Sequence, residues 1–332
     1  MDFLTHTAAG LFLSRAGLNR WTPRATPILM LAANAPDIDV LSLSGGPLNY
    51  LHYHRHLTHS LMLLPVMALL PVALVRAVSR KPIPWLSAFS AAAIAVATHL
   101  LLDLTNSYGL RLLLPFSARW LRLDLTSLFD LWIWAVLLLA VAGPFLNRLV
   151  GAEITSGAAH ERNYGSGFAI LGLLFLLLYN CGRAVLHARA VATLESRVYQ
   201  NAAPLRVGAF PDSANPFRWH GVIETSDFYA IEDVNLAREF DPTRAMIFDK
   251  PSPEPALDAA RSTRTIQEFL QFSQYPLWRV TPAAEPLNAK EVEVIDMRFG
   301  NPLTPGFTAG ALVDSDLRVL RTSFHFGLPR PR

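Results

Sequence analysis

Residues 83–102 read IPWLSAFSAAAIAVATHLLL, twenty positions without a formal charge. Twenty residues in a helix cover about 30 Å, the thickness of a bilayer's hydrocarbon core. The stretch predicts a membrane-spanning helix with His99 near its end and Asp103 just beyond it. Spacing of four puts imidazole and carboxylate on one helical face, one turn apart. A carboxylate at a span's edge is costly without a partner. The pair therefore points either to a metal site or to a His–Asp hydrogen bond inside a bundle.

Working outward, three further apolar runs read as spans: Leu61–Val75, Leu131–Leu146 and Gly165–Gly182. Basic residues lie on both sides of them, among them Arg80-Lys81 and Arg119/Arg122, so the positive-inside rule does not orient the chain. Four alternating spans would bring His59, His99 with Asp103, and Asp130 to one side of the membrane. Residues 3–18 and 26–43 are apolar but short or interrupted, the latter at Asn34-Ala35-Pro36-Asp37-Ile38-Asp39. Pro36 breaks a helix near that point. Both segments read as buried or re-entrant helices.

Composition supports a membrane class: 52% of the 332 residues are apolar and 17% charged. Residues 1–192 hold 14 Lys/Arg against 8 Asp/Glu, and residues 193–332 hold 15 against 18. The arginine excess of the first part serves lipid headgroups and topology, and no specific nucleic-acid partner is expected. The lone Cys181 excludes an intrachain disulfide framework and a cysteine-based zinc cluster. From about residue 204 short β-type runs appear, at 219–225, 228–234, 291–299, 311–313 and 319–326, with one amphipathic helix near 256–272. The expected fold is a mainly α membrane helical bundle followed by a small α+β C-terminal domain. The bundle has about four transmembrane spans plus the short N-terminal helices. The domains are residues 1–192 and 193–332.

The chemistry concentrates in Leu51-His52-Tyr53-His54-Arg55-His56-Leu57-Thr58-His59-Ser60, directly before an apolar run. Imidazole is the commonest metal ligand. His54, His56 and His59 are candidates, to be completed by His6, Asp37 or Asp39, His99, Asp103 and Asp130. Asp37 and Asp39 alternate, so in an extended segment only one would face the metal. Arg55 suits a phosphate, because a guanidinium binds phosphate oxygens bidentately. His160, His187, His220 and His325 are isolated and read as structural or surface residues. A nitrogen and oxygen ligand set suits zinc, with manganese as the alternative. No catalytic triad, P-loop or dinucleotide-binding glycine pattern is present.

The ordered series resembles the YdjM/YbcI-like family, inner-membrane-bound proteins described as metal-dependent hydrolases and as LexA-binding. The matching residues are Met1-Asp2-Phe3-Leu4-Thr5-His6-Thr7 with Gly10, Pro36-Asp37-Ile38-Asp39, His54-Arg55-x-x-Thr58-His59-Ser60, His99-x-x-x-Asp103 and Asp130. They cover about residues 1–180. His56 stands where that family carries a small residue, as an extra ligand or a neutral change. The resemblance implies an integral protein of the bacterial inner membrane. A more distant likeness to the all-helical zinc phospholipase C and single-strand nuclease group implies a phosphoester substrate. The expected function is hydrolysis of a phosphoester, of a lipid or its headgroup, by a metal-activated water. In that reading Asp130 accepts a proton and Arg55 holds the phosphate. The rival reading is a non-enzymatic, metal-stabilised membrane scaffold whose C-terminal domain binds a protein partner.

Overall fold

The computed structural model describes residues 1–79, 82–154 and 164–327. Arg80, Lys81 and His160 lie outside the described residues. In chain order the first helices are α1 (Phe3–Arg15), α2 (Ala25–Ala32), α3 (Pro47–Tyr53), α4 (Leu64–Val78), α5 (Trp85–Leu104), α6 (Leu131–Ile154) and α7 (Tyr164–Glu195). A 3-10 stretch, Ala35–Gly45, follows α2, and a 3-10 turn, Leu57–His59, precedes α4. The chain forms two compact units. The first comprises Met1–Asp39, Arg55–Leu186 and Pro211–Pro216; the second comprises Val40–His54, His187–Phe210 and Phe217–Arg332.

The first unit is helical and built around α5. Ala88, Ala91, Ala92 and Ala95 form a fully buried stripe on that helix. Small side chains let helix backbones approach closely. Ile28, Leu29 and Ala32 of α2 and Met67, Ala68 and Val72 of α4 pack into the same cluster. The stripe continues one turn at a time into His99 and Asp103, both fully buried. Asp2 starts α1 by accepting from the backbone N–H groups of Leu4 and Thr5. At Gly10 a Cβ would lie 2.6 Å from Leu29 O, so only glycine permits this approach of α1 to α2. Phe12 of α1, Leu137 and Ala140 of α6, and Ala169 and Leu176 of α7 make a second cluster.

Among the described residues two helices, Trp85–Leu104 and Gly165–Glu195, are long and apolar enough to cross a membrane. Two bent pairs raise the number to four if each is one span: Ala25–Ala32 with Ala35–Gly45, and Pro47–His59 with Leu64–Val78. The expected span from Leu61 begins as a helix only at Leu64. Ser60 Oγ accepts from Leu63 N at 3.3 Å, and Pro65 fixes the first turn.

In the second unit, strands β1 (Arg206–Pro211), β2 (Arg218–Glu224), β3 (Phe228–Asn235) and β4 (Met246–Asp249) form one sheet in that order. Helices α8 (Pro255–Arg261) and α9 (Arg264–Phe272) follow. The expected single helix over 256–272 is divided because Thr263 caps α9, its side chain accepting from Ile266 N. Strands β5 (Pro276–Pro282), β6 (Lys290–Asp296), β7 (Thr308–Val313) and β8 (Val319–His325) form a second antiparallel sheet in that order. Inward residues of both sheets meet in one core, Val222, Tyr229 and Ile231 with Leu277 and Ile295, and Met297 of the 3-10 turn after β6 joins them. The excursion Val40–His54 belongs to this unit. Its helix α3 sets His52 Nδ1 2.6 Å from Glu268 Oε2 of α9, and Tyr50 stacks on Phe326 with ring centres 5.5 Å apart.

Candidate metal centre

Four buried side chains of the first unit converge: Asp37, His59, His99 and Asp103. They come from three local settings. Pro36 opens the chain into the 3-10 stretch that carries Asp37. The 3-10 turn after Arg55 turns His59 inward. The α5 periodicity aligns His99 with Asp103.

The outer ring nitrogens are already engaged. His99 Nδ1 lies 2.7 Å from Ala33 O. His59 Nδ1 lies 3.2 Å from Asp39 Oδ2 and 3.1 Å from Thr58 Oγ1. A proton on each Nδ1 satisfies these partners and leaves both Nε2 lone pairs facing inward. Those two Nε2 atoms are 3.1 Å apart. Asp103 Oδ2 lies 3.4 Å from His59 Nε2 and 3.5 Å from His99 Nε2, and Asp37 Oδ1 lies 3.4 Å and 3.7 Å from them. Asp103 Oδ2 accepts no hydrogen bond from any described residue. Such a buried convergence of lone pairs repels itself unless a cation sits between them. Zinc-type bonds of about 2.0–2.2 Å in a tetrahedron require ligand separations of about 3.3–3.6 Å. The observed spacings bracket that range, so the residues fit a small divalent ion.

A second layer holds these donors. Arg55 Nη2 donates to Asp103 Oδ1 at 3.0 Å, and Nη1 donates to Asn106 Oδ1 and Gly109 O. The guanidinium also lies over the Tyr108 ring and is itself buried. Arg55 N donates to Asp39 Oδ2 at 2.8 Å, tying Asp39 to the chain just before His59. The Met1 amine pairs with Asp103 Oδ1, which also lies 3.3 Å from His6 Nε2. His6 stacks on His99 with ring centres 3.9 Å apart.

Of the residues expected from the sequence, Asp37, His59, His99 and Asp103 form the group, and His6, Asp39 and Arg55 touch it. His54 and His56 are not in it. His54 ends α3 in the second unit and stacks on Tyr50, and His56 precedes the 3-10 turn. Asp130 caps α6 through Trp132 N and Ile133 N and receives the Tyr179 hydroxyl. Burial holds the Asp130 carboxyl above the ordinary range. Asn106, Gly109 and the Ala33 carbonyl were not anticipated as supports, and Thr58 stood in the ordered series without a role.

Residues 1–190 match the family described as YdjM inner membrane protein, and residues 255–327 match the YfhP C-terminal alpha/beta plait domain. A protein of Bacillus subtilis (strain 168) that bears the name "Uncharacterized protein YfhP" is 26% identical over 338 residues, covering 98% of this chain and 94% of that protein. No solved structure matches. The helical unit and its candidate spans thus agree with the family match, and the chain belongs to the YdjM inner membrane protein family.

Proposed function

We propose that this protein is a membrane-bound, metal-dependent hydrolase acting on a phosphoester of a lipid or its headgroup. The observation that carries the reading is the set Asp37 Oδ1, His59 Nε2, His99 Nε2 and Asp103 Oδ2, four buried donors aimed at one point. In this reading the ion is zinc, with manganese the alternative. When bound it would lower the pKa of water and polarise a phosphoryl oxygen. The chain's own residues hold that chemistry in place. Asp39 and the Ala33 carbonyl fix the ring tautomers, and Arg55 orients Asp103. We therefore assign Arg55 a positioning role, its guanidinium being engaged by Asp103, Asn106 and Gly109. His54 and His56 are kept as ligands of a second ion only. Asp130, which accepts from the Tyr179 hydroxyl, is kept as the proposed proton acceptor on the sequence reading.

One observation favours the scaffold alternative: all four donor residues are buried, the closure typical of a structural site. Metal analysis and phosphodiester turnover on the detergent-purified full chain separate the two. The hydrolase reading expects near-stoichiometric zinc or manganese and turnover, both lost in Asp103→Ala and His59→Ala variants that retain their helical spectrum. Bound metal without turnover on any phosphoester tried would establish the scaffold.

A further inference from the structure

In the first unit the chain between α5 and α6 folds back on itself as a hairpin. Leu110 and Leu121 exchange backbone hydrogen bonds, both at 2.9 Å. The turn beyond them is closed by bonds from Leu114 N to Arg111 O and from Phe116 N and Ser117 N to Leu113 O. Both arms are tied to the ends of apolar helices. Leu123 N donates to the carbonyl of Leu104, the last residue of α5, at 2.9 Å, and Leu61 N, just before α4, donates to Leu112 O at 3.0 Å. The hairpin turns apolar side chains outward: Phe116 is 88% exposed, and Leu113 and Leu123 are exposed as well. Residues 105–123 contain no acid, and their formal charges are Arg111, Arg119 and Arg122. Arg111 is buried over the Trp120 ring, Arg122 pairs with Asp124, and Arg119 is exposed.

We propose that this hairpin is an anchor in the membrane surface, with Leu113 and Phe116 seated against the acyl chains of anionic phospholipids and Arg119 among their headgroups. The twenty residues of α5 match the hydrocarbon core, so Leu104, and Leu123 bonded to it, mark the boundary of that core. The bond from Phe116 N to Leu113 O keeps the ends of the turn within about 7 Å of each other, the depth of the headgroup layer. The outward apolar surface adjoins that of the helices: Leu101, one turn before Leu104, and Leu61 and Met62, before α4, are exposed too. An exposed apolar patch marks a protein or a membrane contact, and its place at the helix ends together with the lack of acids selects the membrane. Trp120 and Tyr108, edge to face at 5.8 Å, are the residue types that gather at that interface. The inference is independent of the metal centre and of any hydrolysis there.

The test is electron paramagnetic resonance on the full chain carrying C181S, reconstituted into vesicles of phosphatidylcholine with or without phosphatidylglycerol. A nitroxide is placed at F116C or, as an aqueous control, at D258C, whose side chain is 80% exposed on α8. Relaxation by oxygen, which concentrates in the bilayer, is compared with relaxation by a water-soluble nickel chelate. Oxygen should dominate at position 116 and nickel at position 258. Each basic residue at an anionic surface is worth about fivefold, so R119Q should weaken insertion about fivefold in vesicles with phosphatidylglycerol and leave it unchanged in phosphatidylcholine alone. Nickel relaxing position 116 as it does position 258 would overturn the inference, the turn then being in water. Protection of position 116 from both agents would overturn it in favour of a protein contact, with a second copy or another chain. An R119Q shift that is absent, or equal in the two vesicles, would overturn the assignment to anionic headgroups.

Discussion

Asp103 in the first unit and Asp296 in the second are both fully buried carboxylates, and they are buried in opposite ways. Asp296 is closed on itself: Arg298 donates to it from Nε at 3.0 Å and from Nη2 at 2.6 Å, and its Oδ1 also accepts Arg298 N. Arg298 in turn donates to Phe272 O and lies against both the Phe272 and Phe299 rings. Asp103 has Arg55 on one oxygen only, and its other oxygen faces two imidazole lone pairs. A buried charge by itself says little about function. What distinguishes a centre from a structural pair is convergence of donors that leaves a demand unmet.

The sharpest way to break this comparison is Arg298→Met. It strands a buried carboxylate and should cost about 3–5 kcal/mol. Thermal melts of the full chain should show that loss with and without chelator alike. A chelator-dependent loss would mean that the two carboxylates are not of different kinds. The next effect is metal removal. At metal one hundredfold above its dissociation constant, chelation should cost the wild type about 2.7 kcal/mol. Asp37→Asn should lose far less. In chelator the order should reverse, the variant being at least as stable, because it removes one of the mutually repelling buried groups. Denaturant unfolding with and without chelator reads both signs, and a variant that remains less stable in chelator would contradict the reading.

The smallest effect sharpens the comparison at the surface. The His220 hydrogen bond, with that of Arg218, holds Asp233 down from 3.8 to about 2 against its partial burial. A lowered carboxylate contributes stability above its unfolded value, and that contribution is lost as pH falls from about 4 through about 2. The Asp233 side chain is 42% exposed, so solvent screening leaves about 0.5 kcal/mol. Asp233→Asn should be less stable than wild type by that amount at pH 5, and the two melting curves should merge near pH 2.

Much of the centre was legible because its ligands are unusual residues in a membrane setting. His99 and Asp103 announced a shared face by their spacing, and Asp37 by its cost in an apolar segment. The histidine run was not resolvable in the same way. His54, His56 and His59 are chemically alike, and the backbone sorts them: His54 is extended at the end of α3, Arg55 takes a φ of 55°, and His59 lies in a 3-10 turn. A left-handed arginine carries no sequence mark. In the second unit the β-type runs of β2, β3, β6, β7 and β8 were readable. β4 was missed because it has four residues, and β1 and β5 because proline ends the one and stands at both ends of the other. The partners of α3, Glu268 and Phe326, are more than two hundred residues away, and local pattern does not reach that far.

The excursion Val40–His54 has a consequence for how the protein can be dissected. The chain leaves the first unit after Asp39 and re-enters it at Arg55, two residues joined by a hydrogen bond and both in contact with the centre. Between them α3 has its partners in α9 and β8. A truncation near residue 190 would keep every metal donor and yet leave α3 without Glu268 and Phe326 to pack on. Loss of metal or turnover in such a fragment would report an unanchored hairpin, and would not assign the second unit a part in the chemistry.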